Sequence, residues 1–211
     1  LMLLAVSGMF VGSVVAIYQS DLKRLLAYSS IAQIGYMVLG ISLASVTGLT
    51  GGIIHLFNHA LVKGALFMAA GCVFYRIGSS RIEDFTGLGR RMPVTMAAFV
   101  VAGLGLIGVP LTTGFVSKWY LVLASIEKGL WPLAVLILIP SLLAIVYVWK
   151  VVEVAYFKPA PDNAETVAEA PLSMLAPLWI MTAASIYFGI DASRTLDVAA
   201  TAARALLGVV Q

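Results

Sequence analysis

Gly-Gly-Ile-Ile-His-Leu-Phe-Asn-His-Ala-Leu-Val-Lys-Gly-Ala-Leu-Phe-Met-Ala-Ala-Gly-Cys-Val-Phe-Tyr-Arg-Ile, residues 51–77, is an apolar run long enough to cross a bilayer, yet it carries both histidines of the chain and a lysine. His55, His59 and Lys63 stand at i, i+4 and i+8, so on a helix they drift only about 80° and form one stripe roughly 12 Å long. Ionisable groups are costly inside a membrane and face the bundle interior or water there, so a stripe of them predicts a proton path.

The composition carries the same message. Hydrophobic residues make up 61% of the 211 and charged residues only 11%, with a mean hydropathy of +1.02, whereas in soluble domains about a quarter of the residues are charged. This is the composition of an integral membrane protein. Apolar runs of bilayer length fall at 1–18, 25–47, 51–75, 93–126, 131–152 and 172–190. No two-residue alternation supports a barrel, so the expected fold is all-α, a polytopic membrane helix bundle of about six transmembrane helices, one of them broken.

The chain opens at Leu1 within an apolar stretch without the basic region or cleavage site of a signal peptide, so it is expected to be a fragment of a longer subunit. Its one cysteine, Cys72, lies among Ala70, Gly71 and Val73 and reads as a small packing residue, leaving no disulfide framework or Cys-x-x-Cys pair. No metal site and no cofactor is expected, and no nucleic acid, because the basic residues sit in loops beside spans rather than in a patch with aromatics. Alternating the loops between two sides puts Lys23, Arg24, Arg76, Arg81, Arg90, Arg91, Lys150 and Lys158 on one, and Lys128, Arg194 and Arg204 on the other. The positive-inside rule makes the first side cytoplasmic and the expected location a bacterial inner membrane. Residues 1–157 then form the membrane domain, 158–171 an acidic, proline-flanked cytoplasmic loop, and 172–211 a last span with an amphipathic tail. In that tail Arg194, Asp197, Thr201 and Arg204 share one face and Leu196, Ala200, Ala203 and Leu207 another, as in a helix lying at the interface.

Gly8, Gly12 and Ser13 give the first span a small-residue face for close helix packing. Ser29, Ser30 and Gln33 in the second are polar but neutral, suited to bonding across helices or to holding water in a proton chain. Residues 93–126 exceed one crossing at about 1.5 Å per residue, and their middle reads Gly108-Val109-Pro110-Leu111-Thr112-Thr113-Gly114. Pro110 removes a backbone donor, with glycines on either side, so a discontinuous helix is expected there. Freed backbone at that depth is tolerated only where protein or a wet cavity covers it. Lys118 follows near the first turn of the second half-helix, with Thr112 or Thr113 as expected caps. Both the positive end of that half-helix and the low dielectric disfavour a permanent ammonium; the competing reading is a lysine that snorkels to the interface. Lys150 and Glu153 read as a surface i, i+3 pair.

Three stretches resemble the antiporter-like membrane subunits shared by respiratory complex I and Mrp-type cation/proton antiporters. They are Asp21-Leu-Lys-Arg-Leu-Leu-Ala-Tyr-Ser-Ser-Ile-Ala-Gln-Ile-Gly-Tyr36, His55-Leu-Phe-Asn-His-Ala-Leu-Val-Lys-Gly-Ala-Leu-Phe67, and Pro110-Leu-Thr-Thr-Gly-Phe-Val-Ser-Lys118. Gly114 to Leu121 and the helix beyond look most like the D component of Mrp-type antiporters. The resemblance implies a fold of about fourteen helices with two inverted five-helix repeats, each with a broken helix and each forming a half-channel. This chain would supply the second repeat and the C-terminal helices. It also implies that Lys63 and Lys118 match the two lysines of the family's proton path, and His55 and His59 its histidines. Members differ in whether Lys or Glu follows the second break, and the family's Glu/Lys pair of the first repeat would lie upstream of Leu1.

The function expected is therefore a proton-translocating subunit of a multisubunit Na+ or K+/H+ antiporter, relaying protons among Lys118, His59, His55 and Lys63 with Ser29, Ser30 and Ser117 in support. Two alternatives stand beside it: the proton-pumping membrane subunit of an NADH:quinone oxidoreductase, with no redox step in this chain, and an inert membrane scaffold. In either transport reading the expected partners are other membrane subunits and the lipid bilayer.

Overall fold

The computed structural model describes residues 1–159 and 167–209. Seven residues of the expected loop, 160–166, and the last two of the tail lie outside the described residues. The described residues form α1 (Met2–Ile17), α2 (Leu22–Ser42), α3 (Val46–Ile77), a 3-10 turn (Ile82–Phe85), the one-turn α4 (Leu88–Arg91), α5 (Pro93–Ile107), α6 (Thr113–Glu127), α7 (Trp131–Val152) with a π-helical extension (Glu153–Phe157), α8 (Leu172–Ile190) and α9 (Ser193–Leu206). The architecture is a polytopic helical membrane bundle. Among the described residues four helices are long and apolar enough to cross a bilayer, and Met2–Ile17 and Pro93–Ile107 are shorter apolar helices.

The expected break falls between α5 and α6. Gly108 ends α5 with φ of +90°, a left-handed conformation that glycine adopts without steric cost. A Cβ on Gly114 would lie 1.9 Å from the carbonyl oxygen of Gly105, so the two half-helices cross in backbone contact. Two expectations about the break are corrected. Thr112 occupies the N-cap position of α6 but makes no side-chain cap bond; its hydroxyl turns back and donates to the carbonyl of Val109 at 2.6 Å, satisfying the loop in place of the helix. Thr113 lies inside α6, and its hydroxyl pairs with that of Ser185 on α8 at 3.2 Å.

The two ends of the bundle follow the charge segregation. At one end the side-chain oxygens of Asp21 cap α2 by accepting from Arg24 N at 3.0 Å and bond Ser80 Oγ. Leu22 N donates to Ser80 O and Ile82 N to Ser20 O. Lys150 belongs to this end but forms no pair with Glu153; its Nζ donates to the carbonyls of Ile17 and Gln19 at 3.2 and 2.8 Å, the first a terminal acceptor that α1 leaves open and the second in the link beyond it. The start of α5 is closed from far along the chain, because Glu169 Oε2 accepts from Val94 N at 2.8 Å and Thr95 N at 3.4 Å. At the opposite end Lys128 Nζ reaches the Ala44 carbonyl at 3.4 Å.

The expected interfacial tail is helical, and Arg194, Asp197, Thr201 and Arg204 are exposed as expected. Of the expected apolar face Ala203 is buried and Leu196 and Ala200 are half-buried; Ala199 joins the buried side, while Leu207 lies beyond the helix and is exposed. The small alanines let α9 seat against α3, so the tail packs on protein along part of its length.

Along α2 the burial changes character twice. Leu22, Leu25 and Leu26 join one apolar cluster with Leu66 and Phe99, and Tyr36, Leu39 and Leu43 join another with Leu121 and Ile137. Between them Ser29 and Gln33 are buried and polar, and they set the level of the site.

Candidate functional site

The buried polar residues of α2, α3 and α6 form one line that starts at the break with Lys118 and His55 and runs along α3 to Lys63 and Ser29. On α3, His55 is 2% exposed and Lys63 4%; on α6, Lys118 is 6% exposed. Neither lysine snorkels: each ammonium ends on a carbonyl inside the protein.

Lys118 Nζ donates to the carbonyls of Leu106 at 2.9 Å and Ile107 at 2.8 Å. The geometry follows from the sequence. In a continuous helix the acceptor of residue 110's N–H would be Leu106 O, and Pro110 has no N–H to give. The ammonium of Lys118 occupies that vacancy and the one beside it. The reading of Lys118 as lying only at the positive start of α6 is therefore incomplete, since its Nζ is seated on the negative end of α5. Gly108 makes room, as a Cβ there would stand 3.1 Å from Lys118 Cδ. Tyr36 lies beneath, its ring centroid 5.1 Å from Lys118 Nζ and 5.2 Å from the His55 ring, and its hydroxyl donates to Ile137 O at 3.0 Å.

His55 is bonded at both ring nitrogens. Nδ1 pairs with Ser117 Oγ at 2.9 Å and Nε2 with Gln33 Oε1 at 3.1 Å. Lys63 Nζ donates to Leu26 O at 2.8 Å and to Ser29 Oγ. Ser29 and Gln33, one turn apart on α2, thus serve the two ends of the α3 stripe.

His59 stands apart. Its Nδ1 is buried without a hydrogen-bond partner, and the ring lines a cavity with Gln33, His55, Asn58, Val62, Gly105, Leu106 and Gly114. That cavity measures about 10 Å³, close to the least room that one water needs. The one-turn spacing along α3, with Ser117 of α6 bonded to His55, orders the groups as Lys118, His55, His59, Lys63.

The sequence-predicted residues are thus brought together unevenly. Ser117 joins His55 directly and Ser29 joins Lys63, whereas Ser30 only returns its hydroxyl to Leu26 O within α2 at 3.0 Å and lies beside the site. Asn58 was missed: its Nδ2 donates to Thr113 O at 2.5 Å, tying α3 to the first turn of α6. Its position three residues after His55, on the same helical face, is the signal that could have found it.

A membrane helix bundle that sets His55, His59 and Lys63 of one continuous helix beside Lys118 of a broken one defines a class: polytopic membrane proteins with ionisable groups buried inside the bundle. Residues 1–146 match the family model described as NADH:quinone oxidoreductase/Mrp antiporter, TM, and the chain belongs to that family. Among its relatives, NADH-quinone oxidoreductase subunit N of Desulforudis audaxviator is 44% identical over 199 residues, covering 89% of this chain and 40% of that protein. The F(420)H(2) dehydrogenase subunit N of Methanosarcina mazei is 34% identical over 214 residues, 97% of this chain and 43% of that protein. This chain therefore spans less than half the length of these relatives. Among solved structures, the Mrp complex of Dietzia sp. DQ12-45-1b superposes with a TM-score of 0.91 at 24% identity over 98% of this chain and 46% of that one, a likeness of fold alone. An archaeal membrane-bound sulfane sulfur reductase superposes at 0.84 with 33% identity, over 90% of this chain and 31% of that one. The narrower expectation, a D component of an Mrp-type antiporter, is not what these comparisons carry, because the relatives at higher identity are dehydrogenase subunits N.

Proposed function

We propose that this chain is the second, proton-conducting half of a membrane subunit in a quinone-reductase-type respiratory complex, the alternative that the sequence sets beside cation antiport. The likeness to oxidoreductase and dehydrogenase subunits N supports it over an Mrp-type exchanger. The observation that carries the proton role is the placement of Lys118 and Lys63: two buried ammonium groups bonded to carbonyls, with two imidazoles and a small cavity of mixed lining between them. Protons pass along Lys118, His55, His59 and Lys63, with Ser117 and Ser29 as hydroxyl partners. The chain itself performs no redox step; its partners are the rest of its own subunit, the other membrane subunits of the complex and the surrounding lipid, in a bacterial inner membrane.

The test is proton movement in inverted vesicles or proteoliposomes holding the complete complex, driven by its electron donor, with Lys118→Ala alongside. Donor-driven proton uptake lost in Lys118→Ala, with the complex assembled, is the expected result. Normal uptake in that variant overturns the assignment. Proton release driven by sodium or potassium without an electron donor would return the chain to cation antiport. Proton uptake unchanged in both Lys118→Ala and Lys63→Met would leave an inert scaffold.

A further inference from the structure

Gln33, by sequence a neutral polar residue of the second span, faces His55 across the helix boundary, and the chemistry of its amide sets the state of the imidazole. An amide oxygen only accepts hydrogen bonds. Gln33 Oε1 lies 3.1 Å from His55 Nε2, so in the neutral ring Nε2 carries the hydrogen and Nδ1 holds the open lone pair.

That lone pair faces Ser117 Oγ at 2.9 Å, and the same Oγ lies 3.3 Å from the Gly114 carbonyl. The hydroxyl has one hydrogen and two acceptors. With His55 neutral, it donates to Nδ1. With a proton added at Nδ1, the imidazolium donates from both nitrogens; Ser117 Oγ then accepts from Nδ1 and turns its hydrogen to Gly114 O. Both charge states of His55 are fully bonded without movement of the backbone, and only a hydroxyl rotates.

We infer that Gln33 is the positioning residue of the proton relay: it locks His55 in the Nε2–H tautomer, so that the ring loads and unloads through Nδ1, on the α6 side, for as long as Gln33 Oε1 holds Nε2. Passage onward to His59 requires the Nε2 hydrogen to leave, and an amide oxygen is a poor base. Gln33 and His55 line the cavity that His59 also lines. A rotation of the Gln33 amide away from Nε2 puts a water of that cavity in its place, and the Nε2 proton leaves to that water while the proton gained at Nδ1 stays, returning the ring to neutral as its other tautomer. Gln33 thereby decides when His55 is a dead end and when it is a conduit. This rests on the proton-relay reading above, but the tautomer itself does not.

The experiment uses the full subunit in its assembled complex with 15N-labelled histidine, the His55 signal being the one lost in His55→Gln under magic-angle-spinning NMR. The expected result is an Nε2–H tautomer in the wild type, a mixture of both tautomers in Gln33→Met, and retention of Nε2–H in Gln33→Glu, which keeps an acceptor oxygen. Ser117→Ala also keeps Nε2–H, because Gln33 alone fixes it, and serves where Gln33→Met fails to assemble. Net donor-driven proton flux in Gln33→Met falls about tenfold, because a ring without its lock passes protons back as readily as forward; the size is the low end of the loss when the partner that orients a metal-bound histidine is removed. A wild-type signal from Nδ1–H or from a mixture overturns the inference. So do an unmixed tautomer in Gln33→Met, mixing in Gln33→Glu or Ser117→Ala, or a mixed tautomer in Gln33→Met with unchanged flux. If Lys118→Ala leaves flux intact, the proton-relay reading fails while the tautomer measurement still judges Gln33; if Lys118→Ala abolishes flux and Gln33→Met changes neither readout, only this inference fails.

Discussion

Lys63 and Lys118 are both buried, and both end on backbone carbonyls, but the carbonyls are of different kinds. Leu26 O, the acceptor for Lys63, lies inside a continuous helix and also accepts from Ser29 Oγ at 2.9 Å and Ser30 Oγ at 3.0 Å. Its capacity is shared, and it stays bonded if the lysine leaves. Leu106 O and Ile107 O, the acceptors for Lys118, are terminal carbonyls of α5 at a break made by Pro110 and Gly108. Lys63 is a guest on a finished helix; Lys118 finishes one. The broken helix and the lysine after it are therefore a single device, in which the break creates an electronegative seat and the lysine fills it.

The largest effect expected from this contrast is on stability. Removing either lysine relieves a similar desolvation cost, so that contribution cancels between Lys118→Met and Lys63→Met. What remains is two stranded carbonyls in the first variant, each costing about 1–3 kcal/mol when buried and unbonded. Lys118→Met is therefore expected to destabilise the subunit by at least about 2 kcal/mol more than Lys63→Met, read as the difference in midpoint on denaturant titration of the detergent-solubilised complex. Equal midpoints would erase the distinction.

A smaller effect sharpens it. Pro110→Ala supplies the N–H that Leu106 O lacks and sets it in competition with the ammonium. Weakening one such bond by on the order of 1 kcal/mol lowers proton flux roughly fivefold, with no loss of stability. Flux equal to that of the unaltered complex would mean that the proline is not what reserves the seat.

The smallest effect lies at the membrane surface, where α2, the helix that carries Leu26 and Ser29, begins. Asp21→Ala removes its N-cap and costs about 1 kcal/mol without altering flux. Burial pushes the Asp21 carboxyl up, but hydrogen bonds from Ser80, Arg24 and Lys23 and the Arg24 charge outweigh it and hold the group below its ordinary 3.8. A depressed carboxylate stabilises above its unfolded value and ceases to do so as pH falls through the folded one. The stability gap between unaltered subunit and Asp21→Ala should thus be full at neutral pH and close only below about pH 4, as measured by thermal unfolding across that range. A gap that persists at low pH would assign the effect to packing instead.

Much of this is legible in the chain. The six apolar runs, the break at Gly108 to Gly114 and the stripe of His55, His59 and Lys63 follow from helical period, length and proline chemistry alone. What is not legible depends on which helix stands opposite. Spacing puts Ser29 and Gln33 one turn apart, but only the packing of α2 on α3 gives Ser29 to Lys63 and Gln33 to His55. Thr112 looks like a cap because caps are local, yet its hydroxyl finds the Val109 carbonyl nearer. Lys150 finds the end of α1 rather than Glu153, because unsatisfied carbonyls attract an ammonium more than an exposed carboxylate does. Glu169 gives no signal, since a cap supplied from 75 residues away has no motif.

That distant cap has a consequence for how the protein is made. A ribosome delivers α5 before anything that completes it: its final carbonyls wait for Lys118, 11 and 12 residues further on, and its first amides wait for Glu169, which follows only after α6 and α7. At the moment of insertion α5 is a short apolar rod with both ends open. Its seating belongs to a late step of biogenesis, after the next two helices have entered the bilayer, and a chain interrupted between Phe157 and Glu169 would carry Lys63 and Lys118 while leaving the start of that rod unfastened.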